Sequence, residues 1–157
     1  MRRLNKRLDK NGVEIKTGDI VEISGAYFKN DNGLYFVTHS PGDPTWSGRD
    51  YSLKRISKYG KISKAKYNLC FWPISVFVSD RFKAAQATSW NREHATIEVK
   101  PPCKDMSEVI AFFQAQAAEL AESVRRSTWN LGESHPSGQR EKIMLAHYTA
   151  LAQALMN

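Results

Sequence analysis

Pro101-Pro102 divides the chain into two stretches whose apolar residues recur with different periods, and one kind of secondary structure cannot bury both. Before the prolines, residues 20–23, 34–39, 50–56 and 95–99 are short runs rich in Val, Ile, Tyr and Phe, bounded by Gly, Pro, Asn and Asp. Such runs predict β-strands. Residues 69–78 are the most apolar stretch and predict a core strand interrupted at Pro73, which lacks the N–H a ladder needs. Ser79-Asp80 can cap a short helix over 81–91, with Phe82, Ala85, Ser89 or Trp90 turned inward.

After the prolines the period becomes helical. Asp105-Met106-Ser107-Glu108 offers a capping box, and Met106, Ile110, Phe113, Ala117, Leu120 and Val124 make one stripe to about residue 126. Residues 127–136, with Gly132, read as a linker, and a second helix over 137–156 carries Met144, His147, Leu151 and Leu155. These helices predict a hairpin whose apolar faces pack on each other and on the β-rich part, or on a partner. The division is a basic N-terminal arm over 1–15, a β-rich domain over 16–102 and a helical hairpin over 103–157, in an α+β class.

The stretch TGDIVEISGAYFKNDNGLYFV, residues 17–37, sets a Gly-Asp turn, a β-branched strand, a glycine-bounded loop and a second strand in succession. Over about residues 16–37 it resembles the start of a KOW-type, SH3-like small β-barrel. The resemblance implies a small SH3-like β-barrel ahead of the helical hairpin. It also implies that the loop over 24–32, which includes Lys29, touches RNA or a protein partner.

Charge is distributed unevenly. Residues 1–83 hold 16 Lys and Arg against 8 Asp and Glu, whereas residues 84–157 hold 7 against 8, so the net charge of +7 belongs to the first half. Its densest part is KRISKYGKISKAKY, residues 54–67, with six basic residues and no acid. A three-residue loop Lys58-Tyr59-Gly60, with Gly60 in the left-handed region, sets Ser57 opposite Lys61 and Ile56 opposite Ile62. Alternation then sends Arg55, Ser57, Lys61 and Ser63 to the face away from the isoleucines. Hairpin symmetry accounts for the palindrome but not for the choice of Lys and Arg, because like charges across strands repel. Two reasons for that choice stand: contact with a polyanion, and protection of an exposed sheet edge.

The loop over 40–48 is rich in Pro and Gly and bears one large aromatic, Trp46. Either the ring folds back over the barrel's open end, or it joins Arg49 and Tyr51 as a stacking platform.

Chemistry of the catalytic kind finds little purchase. Cys70 and Cys103 lack C-x-x-C spacing, and His39, His94, His135 and His147 are scattered, so no metal is expected. Asp80 with Glu98-Val99-Lys100 matches the acid plus Asp/Glu-x-Lys pattern of metal-dependent nucleases, but a predicted helix separates the acids and Pro101 follows at once. Neither a nucleophile elbow nor a phosphate-binding glycine loop occurs. We therefore expect a protein without catalytic activity or cofactor. It would bind nucleic acid or another polyanion through Lys29, Trp46, Arg49, Lys54, Arg55, Lys58, Tyr59, Lys61, Lys64 and Lys66.

A protein-interaction reading stands beside this one. A surface that binds phosphates has the same composition as one that occupies the nucleic-acid site of a nucleoprotein. The chain also resembles short proteins of bacterial mobile elements, some of them anti-defence inhibitors of the anti-CRISPR kind; the helical hairpin would then engage a protein target. No apolar run of about 18 residues spans a membrane and no apolar region follows the charged opening, so a cytoplasmic location without a membrane partner is expected.

Overall fold

The computed structural model describes residues 8–41, 43–44, 51–64, 69–72, 76–78, 90–91, 93–131 and 136–156. Arg2, Arg3, Lys6, Arg7, Trp46, Arg49, Lys66 and most of the helix expected over 81–91 lie outside the described residues. The chain separates into two compact units, Met1–Asp105 and Met106–Asn157.

The first unit is built on six strands: β1 Ile20–Ser24, β2 Gly33–His39, β3 Tyr51–Arg55, β4 Leu69–Trp72, β5 Val76–Val78 and β6 Thr96–Lys100. All pairings are antiparallel, in the order β5-β4-β3-β2-β1-β6. Among the described residues no ladder joins β5 to β6, so the sheet is open. This corrects the KOW-type, SH3-like barrel that residues 16–37 implied. The physical reason is that those residues specify one hairpin, β1 to β2, whose turn chemistry suits any antiparallel sheet. Closure depends on how the outermost strands meet, which no local pattern encodes.

Register explains which side chains are buried. Val21, Tyr35 and Arg55 are opposite one another across β1, β2 and β3, as are Val37 and Leu53, and Ile23 and Ile97. With Ile15, Ala26 and Tyr51, the apolar members of this face form the main core. The other face is buried as well at its centre, where Ile20 and Phe36 are opposite each other and are 3% and 0% exposed. Four consecutive β2 residues, Tyr35 to Thr38, are thus buried, and the strand reads as a continuous run instead of an alternating one.

The edge formed by β6 is not left open. Lys10 N–H donates to the Ile97 carbonyl at 3.0 Å, and Val99 N–H donates to Asp9 Oδ2 at 2.7 Å. Asp9 Oδ1 receives the N–H groups of Asn11 and Val13, each at 2.8 Å, which holds the turn that presents it. A carboxylate therefore takes the place of a neighbouring strand. An exposed strand edge invites pairing with other chains, and this turn blocks it.

The second unit comprises α1 Ser107–Leu131 and α2 Pro136–Met156. Phe113 stacks on Tyr148 with centroids 6.1 Å apart, Gln114 Nε2 donates to Met156 Sδ at 3.8 Å, and Ser123 Oγ donates to Glu141. These pairings run antiparallel. Residues 127–131, read as linker, continue α1, because Ser, Thr and Asn disfavour a helix only mildly and this stretch holds neither Gly nor Pro. Pro136 opens α2, since a first-turn residue needs no N–H partner. Among the described residues of α2, Tyr148 and Ala152 are buried, and the expected Met144, His147, Leu151 and Leu155 are half-buried beside them. No described helix is long and apolar enough to cross a membrane.

Candidate functional site

The hairpin between β3 and β4 is built by its own sequence. Ile56 bridges Ile62, Ser57 N–H donates to the Lys61 carbonyl at 2.9 Å, and Gly60 adopts φ +89°. Ser57 Oγ accepts the N–H groups of Tyr59 at 3.2 Å and Lys61 at 3.1 Å, so the three-residue loop is closed from inside. Its outward side chains are Lys58, Tyr59 and Lys61. Tyr59 is 61% exposed and the Lys58 ammonium lies 5.1 Å from its ring centroid. Lys64 is exposed on the returning side of the hairpin, where Ser63 N–H donates to the Arg55 carbonyl.

The tip is also held from outside. A Cβ on Gly60 would overlap the carbonyl oxygen of Asp105, and Cys103 Sγ donates to the Ser57 carbonyl at 3.7 Å. Burial pushes the Cys103 thiol above its ordinary 9.0. Residues 103–105, which follow β6, thus lie against the hairpin tip although β2 and β1 separate β3 from β6 in the sheet. Exposed Lys104 is brought beside the loop in this way. Sequence reading missed it because it is more than forty positions away, as the Ser57–Cys103 separation of 46 shows.

β3 itself is an internal strand, flanked by β2 and β4, but Lys58, Lys61 and Lys64 lie beyond its end at Arg55, on the part of the hairpin outside the β3–β4 ladder.

Two of the expected basic contacts behave differently from the tip lysines. Lys54 is opposite Phe36 and half-buried. Arg55 is opposite Tyr35, on the face of the main core, and not on the wet face to which alternation had assigned it together with Lys61. Its guanidinium lies 4.8 Å over the Tyr35 ring, Nη1 donates to the Asn32 carbonyl at 3.0 Å, and Nη2 donates to the Asn30 carbonyl and to Tyr35 Oη. Tyr35 Oη in turn donates to the Asp31 carbonyl at 2.7 Å. Arg55 thereby anchors the 3-10 turn Lys29–Asp31, on which Lys29 is exposed. We predict that Arg55→Gln costs about 2 kcal/mol of stability, read by urea unfolding, because two carbonyls and the Tyr35 hydroxyl lose a charged donor. The salt dependence of any polyanion binding should stay as it was, and a flattened slope would return Arg55 to the contact set.

The β1–β2 loop meets the helical turn at Trp90–His94. Tyr27 N–H donates to Asn91 Oδ1 at 2.9 Å, and Trp90 Nε1 donates to the Gly25 carbonyl at 3.0 Å. Trp90, expected inward, is 45% exposed, because its indole N–H finds its partner at the loop's rim. The adjacent aromatics Tyr27-Phe28 inside a loop were the available sign of a surface cluster.

The nuclease-like residues are paired among themselves. Glu98 lies between Lys10 at 3.5 Å and Lys100 at 3.8 Å and accepts from Asn11 Nδ2 at 3.2 Å, while Asp80 is outside the described residues. Among the described residues no three His, Cys, Asp or Glu side chains are grouped to hold a metal ion. Comparison with protein-family models, curated proteins and solved structures finds no match to this chain.

Proposed function

We propose that the chain is a non-enzymatic nucleic-acid-binding protein that grips the phosphate backbone with the tip of the β3–β4 hairpin. The observation that carries this reading is the pairing of an exposed Tyr59 ring with the Lys58 ammonium on a loop fixed from both sides, with Lys61 and Lys64 exposed beside it. Ammonium groups neutralise phosphates without reading sequence, and a ring beside them adds a surface for a base. Fixing the loop before binding reduces the entropy lost on association.

The test replaces Lys58, Lys61 and Lys64 together with Gln, which keeps polarity and deletes charge. Each lost phosphate contact flattens the slope of log affinity against log salt by about 0.9 on duplex DNA or 0.7 on single strands, so the triple variant should lose about 2 to 3 in slope. Thermal stability should change little, since these side chains are exposed. An unchanged slope overturns the assignment to the hairpin. A pull-down from host extract with and without nuclease tests the reading itself. A stoichiometric protein that survives nuclease, with no nucleic acid bound by the purified chain, would replace it with an inhibitor that occupies a nucleoprotein's site.

A further inference from the structure

The loop that Arg55 anchors carries a second exposed feature. Tyr27 and Trp90 are 40% and 45% exposed, with ring centroids 6.3 Å apart and planes at 66°. Both are held in place from behind. The indole is oriented by its bond to the Gly25 carbonyl, and the His94 ring lies 4.1 Å from it. Tyr27 is positioned by Asn91, whose side chain is fully buried, while Asn32 Oδ1 receives the neighbouring Ala26 N–H at 2.9 Å. The approach needs glycine at position 25, which has φ +73° and where a Cβ would lie 2.6 Å from the His94 carbonyl oxygen. A buried asparagine and a glycine in the left-handed region thus support two rings that are each partly open to solvent.

We infer that Tyr27 and Trp90 form a stacking shelf for unpaired bases, so that the nucleic acid bound is single-stranded; this rests on the hairpin reading above. Rings on a protein surface reach bases only where these are not already stacked inside a duplex, and every base has a face that can stack. The charge around the shelf suits the same ligand. Lys29 is exposed on the turn directly after Tyr27-Phe28, and Arg55 ties that turn to the strand that leads into the lysine-bearing tip. Backbone contacts and base contacts are then supplied by adjoining elements of one unit.

The experiment measures fluorescence anisotropy of three labelled probes across a salt series: a thymidine and a uridine oligonucleotide of about 15 nucleotides, and a duplex of equal length. The chain should bind the single strands more tightly than the duplex. Trp90→Ala and Tyr27→Ala should each weaken single-strand binding about tenfold, with the salt slope and the duplex affinity unchanged because no charge is removed. Trp90→Phe, which keeps a ring, should recover most of the loss. Single-strand binding that depends on Lys58, Lys61 and Lys64 but is unaffected by either alanine overturns the shelf and leaves the hairpin reading standing. Failure to bind any probe at low salt overturns both. If Trp90→Ala loses its cooperative unfolding transition, Tyr27→Ala and Trp90→Phe carry the same comparison.

Discussion

Gly60→Ala lowers the stability of the sheet unit by about 3 kcal/mol, as the sum of a strained backbone and a steric overlap. The φ of +89° excludes most side-chain-bearing residues, and the added methyl would overlap the Asp105 carbonyl oxygen. Gly12→Ala separates the two causes. Gly12 has φ +82° but nothing within 4 Å of its missing Cβ, so alanine there meets strain alone, about 1–2 kcal/mol. Urea unfolding of the two variants side by side gives the difference directly. Equal losses would mean that the hairpin tip is not docked on residues 103–105. A larger loss at Gly60 should come with weaker polyanion binding, because Lys58 and Tyr59 lose their fixed position.

Asp9→Ala is expected to cost about 3 kcal/mol, because three N–H groups, those of Asn11, Val13 and Val99, lose a charged acceptor. It should also raise the tendency to self-associate, since Val99 N–H is released on an edge strand. The effect carries a pH signature. Burial acts to raise the Asp9 pKa, but the backbone bonds from Val99, Val13 and Asn11, with Lys10 nearby, outweigh it and hold the carboxyl below its ordinary 3.8. A depressed folded pKa gives stability that is present above the unfolded value and lost as pH falls through the folded one. The gap between the native chain and Asp9→Asn should therefore be full at neutral pH and shrink below about pH 4. Asp19, raised by burial, titrates with the opposite sign, so the comparison is made between variants and not on the native curve alone. A gap that stays constant down to low pH would show that the Asp9 carboxylate is not the linked group.

What could be read from the residues alone shares one property: it is local. The symmetric placement of Ile56 and Ile62 around Tyr59, the centre of the three-residue loop, sets the hairpin register, because that loop leaves one pairing that puts both on the same side. The helical period after Pro101-Pro102 likewise specifies two helices, and the expected stripe on α2 is half-buried beside Tyr148 and Ala152. Of the candidate site, the tip lysines and Tyr59 were legible as an exposed loop.

Arg55 was not legible as an anchor. Its partners Asn30, Asn32 and Tyr35 are brought to it by the β2–β3 register, and composition alone marks it only as one more positive charge in a basic run. The same holds for Asp9, which reads as an acid inside a basic arm and acts as the missing neighbour of β6 across a separation of 90 residues. Openness of the sheet belongs here too, since the β1–β2 hairpin has the same local energy whether or not distant strands close a barrel around it. Turn geometry and side-chain period act over a few residues and are therefore written in the chain. The docking of the hairpin tip on 103–105, the Tyr27–Trp90 pair and the covered β6 edge arise only when remote segments meet, so the tertiary structure alone decided them.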